Sequence, residues 1–144
     1  MRYTQFLTPR PVVIPLLLLM VVGCGPRQYP VRGKVTYPDG KPLTEGMVVF
    51  ESQDQEKPVT ARGGIHPDGS YELGTHKPGD GALAGRYRVL VAPKSDPNAV
   101  DRPSCPPPFD PRFASFDTSG LEYQVVAGTN DFPILVTSAP TRHR

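Results

Sequence analysis

Beyond residue 24, proline or glycine interrupts almost every stretch of a dozen residues; the 144-residue chain holds 19 prolines and 14 glycines. Proline removes a backbone donor and clashes inside a helix, and an interior glycine costs a helix about 1 kcal/mol. Long helices are therefore excluded, and short strands joined by turns remain. The stretch from Tyr29 to Ser52 shows the pattern best. Val31, Gly33, Val35 and Tyr37 fall on one face, with Arg32, Lys34 and Thr36 on the other, the period-two alternation of a half-buried strand. Pro38-Asp39-Gly40 supplies a turn. Met47–Phe50 is apolar on both faces and reads as a central strand. Strand, loop and strand make an opening hairpin or a corner between two sheets, and Leu43 in the loop is expected to plug the end of the core.

The first 23 residues read differently. Arg2 and Arg10 form a weakly basic start, no acidic residue precedes Asp39, and Val12–Val22 is apolar apart from Pro15. Eleven residues are too few to span a bilayer, so residues 1–23 read as a signal segment. The run ends Val21-Val22-Gly23-Cys24, and a small residue before a cysteine resembles the bacterial lipobox. That resemblance implies diacylglycerol on the Cys24 sulfur, cleavage before Cys24 and a further acyl chain such as palmitate on the new amino terminus. Two or more chains anchor a protein durably. An ordinary signal peptide and an uncleaved anchor helix are the other readings of the same residues. Residues 24–28 would then be the lipidated cysteine and a tether, 29–137 the folded domain and 138–144 a polar tail.

Charge argues against a nucleic-acid partner. The chain has 16 basic and 14 acidic residues, but Arg2 and Arg10 leave with the signal segment, and the remaining 121 residues balance at 14 against 14. No basic run with interleaved aromatics occurs. The two cysteines, Cys24 and Cys105, could pair in an oxidising compartment; lipid on Cys24 excludes that and leaves Cys105 a lone thiol in Pro103-Ser104-Cys105-Pro106-Pro107-Pro108.

In order along the chain, Pro58–Ile65 is a third strand with a bulge or bend at Gly63-Gly64, and His66-Pro67-Asp68-Gly69 is a turn. Ser70–Leu73 is a short strand with Tyr71 and Leu73 on one face. Gly85–Ala92 alternates most clearly, with Tyr87, Val89 and Val91 together, and its natural partner is Ser70–Leu73. Pro93–Ser119 is irregular and proline-rich. Within it Phe109, Phe113 and Phe116 either cover a sheet face or form an exposed binding patch. Leu121–Val126 and Asp131–Val136 read as a closing hairpin, with Pro133 at an edge or unpaired. About seven strands and no helix call for a two-layer all-β sandwich.

The ordered set V-R-G-K-V-T-Y-P-D-G-K-P-L (Val31–Leu43), G-M-V-V-F (Gly46–Phe50), H-P-D-G-S-Y-E-L (His66–Leu73), K-P-G-D-G-A-L-A-G-R-Y-R-V-L-V (Lys77–Val91) and D-T-S-G-L-E-Y-Q-V-V-A-G-T-N-D-F (Asp117–Phe132) resembles small lipoproteins of planctomycete-type bacteria. Those carry a carboxypeptidase regulatory-like domain with a transthyretin-like or Ig-like sandwich. The resemblance implies an accessory domain with no catalytic residues to carry over. The Cys-Pro-Pro-Pro insertion and Gly63-Gly64 depart from the pattern.

Chemistry-bearing motifs are sparse. His66 and His76 stand ten residues apart in loops, His143 is in the tail, and neither zinc nor EF-hand spacing occurs. Asp39, Asp68 and Asp80 each stand at or next to a glycine turn and read as turn formers. G-x-S-x-G is absent. The expectation is a non-enzymatic envelope protein with no cofactor and no metal. It would be held to a cell or outer membrane by lipid on Cys24, facing the periplasm or exterior, in a structural, adhesive or accessory role. The alternative is a module that binds carbohydrate or peptide through the 109–116 aromatics or an exposed strand edge, with an envelope protein or glycan as partner.

Overall fold

The computed structural model describes residues 27–94 and 107–140. Residues 1–23, read above as a signal segment, Cys24, Cys105 and the end of the tail lie outside the described residues. Ten strands follow one another: β1 (Gln28–Tyr29), β2 (Val31–Thr36), β3 (Met47–Ser52), β4 (Thr60–Gly64), β5 (Ser70–Glu72), β6 (Ala82–Leu83), β7 (Gly85–Ala92), β8 (Leu121–Val125), β9 (Asn130–Asp131) and β10 (Ile134–Leu135). They make an all-β sandwich. One layer is antiparallel, in the order β4-β3-β7-β8. In the other, β2 is central, with β5 antiparallel on one side and β9 and β10 parallel on the other. A small ribbon, β1 with β6, closes one end.

The alternation seen in the sequence becomes the core. Val31 and Val35 point inward from β2 while Arg32 and Lys34 face out. Val48 and Phe50, then Tyr87, Val89 and Val91, meet them from the opposite layer, all 0–1% exposed. Tyr71, Leu73, Ile134 and Val136 complete the inner faces, and Leu43 seals the end of the core as expected. Each such side chain contributes about 1.5–3 kcal/mol by leaving water. Met47–Ser52 is central, as its two-sided apolarity implied. The corner reading of 38–46 holds, since β2 and β3 belong to different layers.

Several connections differ from expectation. β7 does not pair with β5; it lies between β3 and β8. The Leu73 N–H donates to the Val31 carbonyl, which fixes β5 to the edge of β2, and the chain then crosses between layers before β7. The closing hairpin is also absent, because β8 and β9 lie in different layers. The Asn130 side chain accepts from Val126 N–H and donates to the Val126 carbonyl, so a side chain pins this turn where a hairpin would use a ladder. Pro133 falls unpaired between β9 and β10.

Among the described residues helix is almost absent, but not wholly. Pro111–Ala114 is a 3-10 turn capped by the Asp110 carboxylate, which accepts from Arg112 N–H. Phe116–Ser119, α1, is a single turn capped by Ser115. Asp then Pro at the first position is a helix-start signal, too short here to register against the proline background.

Gly33 and Gly63 are two of the glycines that close approach requires. Gly33 occupies an inward position of β2 where a Cβ would overlap the Phe132 carbonyl oxygen and lie 2.8 Å from the Tyr71 hydroxyl. Tyr71, directly opposite Gly33 on β5, extends its ring to that point and donates to the Phe132 carbonyl at 2.7 Å. Gly63 makes no bulge: Gly63 and Gly64 pair in register with Val48 and Met47. The absent side chain at Gly63 leaves room for the Glu72 carbonyl where the two layers meet.

Candidate functional surfaces

The three phenylalanines of the 109–116 segment do not share one exposed face. Phe109 (0% exposed) and Phe113 (2%) are buried in the core. The backbone beside Phe109 is tied down where Asp110 N–H donates to the Thr137 carbonyl and Ala139 N–H to the Pro108 carbonyl. Phe116 is half-buried, with the Arg88 guanidinium 5.5 Å from its ring centre. Burial of two of the three rings follows from the small size of the domain, which needs their apolar area.

The turn carboxylates are engaged locally. Asp39 accepts from Lys41 N–H, and Asp68 from the Ser70 N–H and hydroxyl. These hydrogen bonds hold both carboxyls below their ordinary range. Burial opposes ionisation of Asp80, but N–H groups of Thr75, Lys77 and His76 together outweigh it and lower its pKa. His66 and His76 line different grooves. Among the described residues, no three His, Cys, Asp or Glu side chains are grouped to hold a metal ion.

The outer face of the β2 layer carries a shallow polar groove of about 400 Å³. Arg32 lies there between Asp131 and Glu72, its register partners on the neighbouring strands, with Lys34 and His66 alongside. On the other outer face, Arg88 bonds Glu51 at 2.6 Å and Asp117 at 3.2 Å, and Glu122 is its partner on β8. Such partly exposed pairs contribute about 0.2–1 kcal/mol each.

The remaining feature is an open seam. β8 ends its sheet. Behind it, Tyr123 stacks on Phe132 with ring centres 4.5 Å apart, and the Tyr123 hydroxyl donates to the Pro133 carbonyl. Leu121, Tyr123 and Phe132 are only partly buried against the core. Sequence reasoning named an exposed strand edge without locating it. The period-two pattern reveals which face a residue takes, but not which strand ends a sheet. The chain matches no protein-family model, no curated protein and no solved structure.

Proposed function

We propose that this chain is a non-enzymatic, lipid-anchored sandwich domain held against the outward side of a bacterial membrane, in a structural or accessory role among envelope proteins. The observation that carries this reading is where the fold starts. Gln28 is already paired with Leu83, four residues after Cys24 in the lipobox-like run. At about 3.5 Å per residue, acyl chains on Cys24 would hold the domain within roughly 14 Å of the lipid. The turn carboxylates support the accessory role: Asp39, Asp68, Asp80 and Asp110 each accept hydrogen bonds from nearby backbone N–H groups. Their acceptor capacity goes into loop geometry. The resemblance to accessory domains of planctomycete-type lipoproteins points the same way.

Metabolic labelling with an alkyne fatty acid tests the anchor. The full chain, expressed in a bacterium, should incorporate label, and Cys24→Ser should abolish it; equal labelling of both would overturn the reading. The accessory role predicts no turnover of peptides, esters or glycans by the purified chain. A hydrolysis rate removed by one point substitution would refute it. The alternative, a binding module, draws support from the open β8 edge; the buried Phe109 and Phe113 favour no ligand at the aromatic loop.

A further inference from the structure

The edges of the sandwich are not equally protected. At the far side of the β4 layer, Arg62 exchanges both backbone hydrogen bonds with Gly74. In the β2 layer, β5 is three residues long, and Pro133, which has no N–H, interrupts the other edge. These are the usual ways of blunting an edge. β8 has five residues, no proline and no bulge, and pairs in unbroken register from Leu121 to Val125.

The register shows which groups face out. The Arg86 carbonyl accepts from Gln53 N–H, so Arg86 is turned toward β3. Alternation then turns Gly85, Tyr87 and Val89 toward β8, where they bond Val125, Tyr123 and Leu121. The main-chain N–H and C=O of Glu122 and Gln124 therefore point away from the sheet. No strand among the described residues meets them. Past Val125, Asn130 occupies the Val126 groups and ends the open stretch.

The side-chain pattern of this strand, Leu-Glu-Tyr-Gln-Val, reads alike in both directions about Tyr123: apolar, polar, aromatic, polar, apolar. We infer that β8 is a self-association edge, where a second copy of this chain adds its own β8 antiparallel about a two-fold axis at Tyr123. In that register Glu122 and Gln124 of opposite copies exchange backbone hydrogen bonds, four in all. A contact of this kind is isologous, each copy offering the same patch. The charges agree. Glu122 meets the neutral amide of Gln124 from the other copy, in a row running Arg88, Glu122, Gln124, Arg86 across the two sheets. A register centred on Glu122 would oppose two carboxylates, which is destabilising. The added strand also covers what remains exposed of the partly buried Leu121, Tyr123 and Phe132. This contact does not depend on lipid at Cys24.

The test uses the full chain in detergent, in a Cys24→Ser, Cys105→Ser background that leaves no other thiol, with Glu122→Cys and Gln124→Cys prepared separately. Directly opposed residues of a hydrogen-bonded pair lie about 5.5 Å apart between Cα atoms, within disulfide range; diagonal neighbours at about 7–8 Å are at or beyond it. Under mild oxidation a mixture of the two variants should form cross-linked dimer several-fold more than either variant alone. Gln124→Glu, which sets a carboxylate directly opposite Glu122 of the other copy, should lower the dimer fraction seen by light scattering while leaving the circular dichroism spectrum unchanged. No cross-link in the mixture, equal cross-linking of all samples, or a Gln124→Glu variant that self-associates like wild type would overturn the inference.

Discussion

Gly33→Ala probes one of the closest approaches in the fold. Its Cβ would collide with the Phe132 carbonyl, which is backbone, and lie 2.8 Å from the Tyr71 hydroxyl. Relief requires the β9–β10 segment to move off β2 or the Tyr71 ring to withdraw, breaking the 2.7 Å hydrogen bond. Overpacking of this kind costs about 1–3 kcal/mol, and the lost hydrogen bond adds about 1 kcal/mol. Reduced freedom of the unfolded chain returns about 0.4–1 kcal/mol. The net loss is about 1–3.6 kcal/mol. At 4–8 °C per kcal/mol for a domain of this size, the melting temperature should fall by roughly 4–29 °C. Thermal unfolding followed by circular dichroism, with Gly64→Ala as control, reads this directly. Gly64 has open space around its absent Cβ and no positive φ, so its alanine variant should melt within about 2 °C of wild type or slightly above. If Gly33→Ala melted with Gly64→Ala, the claim that Gly33 exists to admit Phe132 and Tyr71 would be wrong.

Other consequences follow from buried polar groups. Asn130→Ala should cost about 1–2 kcal/mol, read by denaturant titration, because the 4%-exposed Asn130 side chain bonds Val126, Gly128 and Pro30; an unchanged midpoint would mean water replaces it freely. Burial pushes the hydroxyls of Tyr71, Tyr87 and Tyr123 above their usual 10.0. A raised folded-state pKa means their contribution is full below about pH 10 and is lost as pH rises further. The stability gap between wild type and Tyr71→Phe should accordingly narrow above pH 10; a constant gap would contradict the assignment. The Asp80 carboxyl should titrate below 3.8 by NMR, and the contribution of its loop to stability should persist above that pH and fade as pH drops through its folded value. A titration at or above 3.8 would count against the three-amide cradle.

The layers were legible because the chain alternates strictly where it matters: Val31 and Val35, Tyr87, Val89 and Val91, Tyr71 and Leu73 all point inward as the period-two pattern required. Pairing was not legible. Gly85–Ala92 and Ser70–Glu72 lie close in sequence with matching patterns, yet the twelve residues between them, which include β6, carry the chain from one layer to the other. A similar crossing hid behind Ala127-Gly128-Thr129-Asn130, which has the composition of a hairpin turn and is pinned by the Asn130 side chain. Gly33 carried a signal that was available, since glycine at an inward strand position marks close backbone approach; the alternation recorded it as one more inward residue. The aromatic segment was ambiguous for a physical reason. Spacing alone cannot separate rings that cover a core from rings that form a surface, and only the coordinates divide Phe109 and Phe113 from the half-buried Phe116. The proposed lipidation of Cys24 was read from the sequence of residues 1–24.

The most direct test of the central claim is the intact mass of the protein taken from its native membrane fraction, beside Cys24→Ser. The account predicts a chain beginning at Cys24 that carries diacylglycerol mass, with or without a further acyl chain, and a Cys24→Ser chain left uncleaved. A wild-type chain cleaved without lipid, or retaining residues 1–23, would contradict it; the former would make the protein secreted and restore a Cys24–Cys105 disulfide as a possibility.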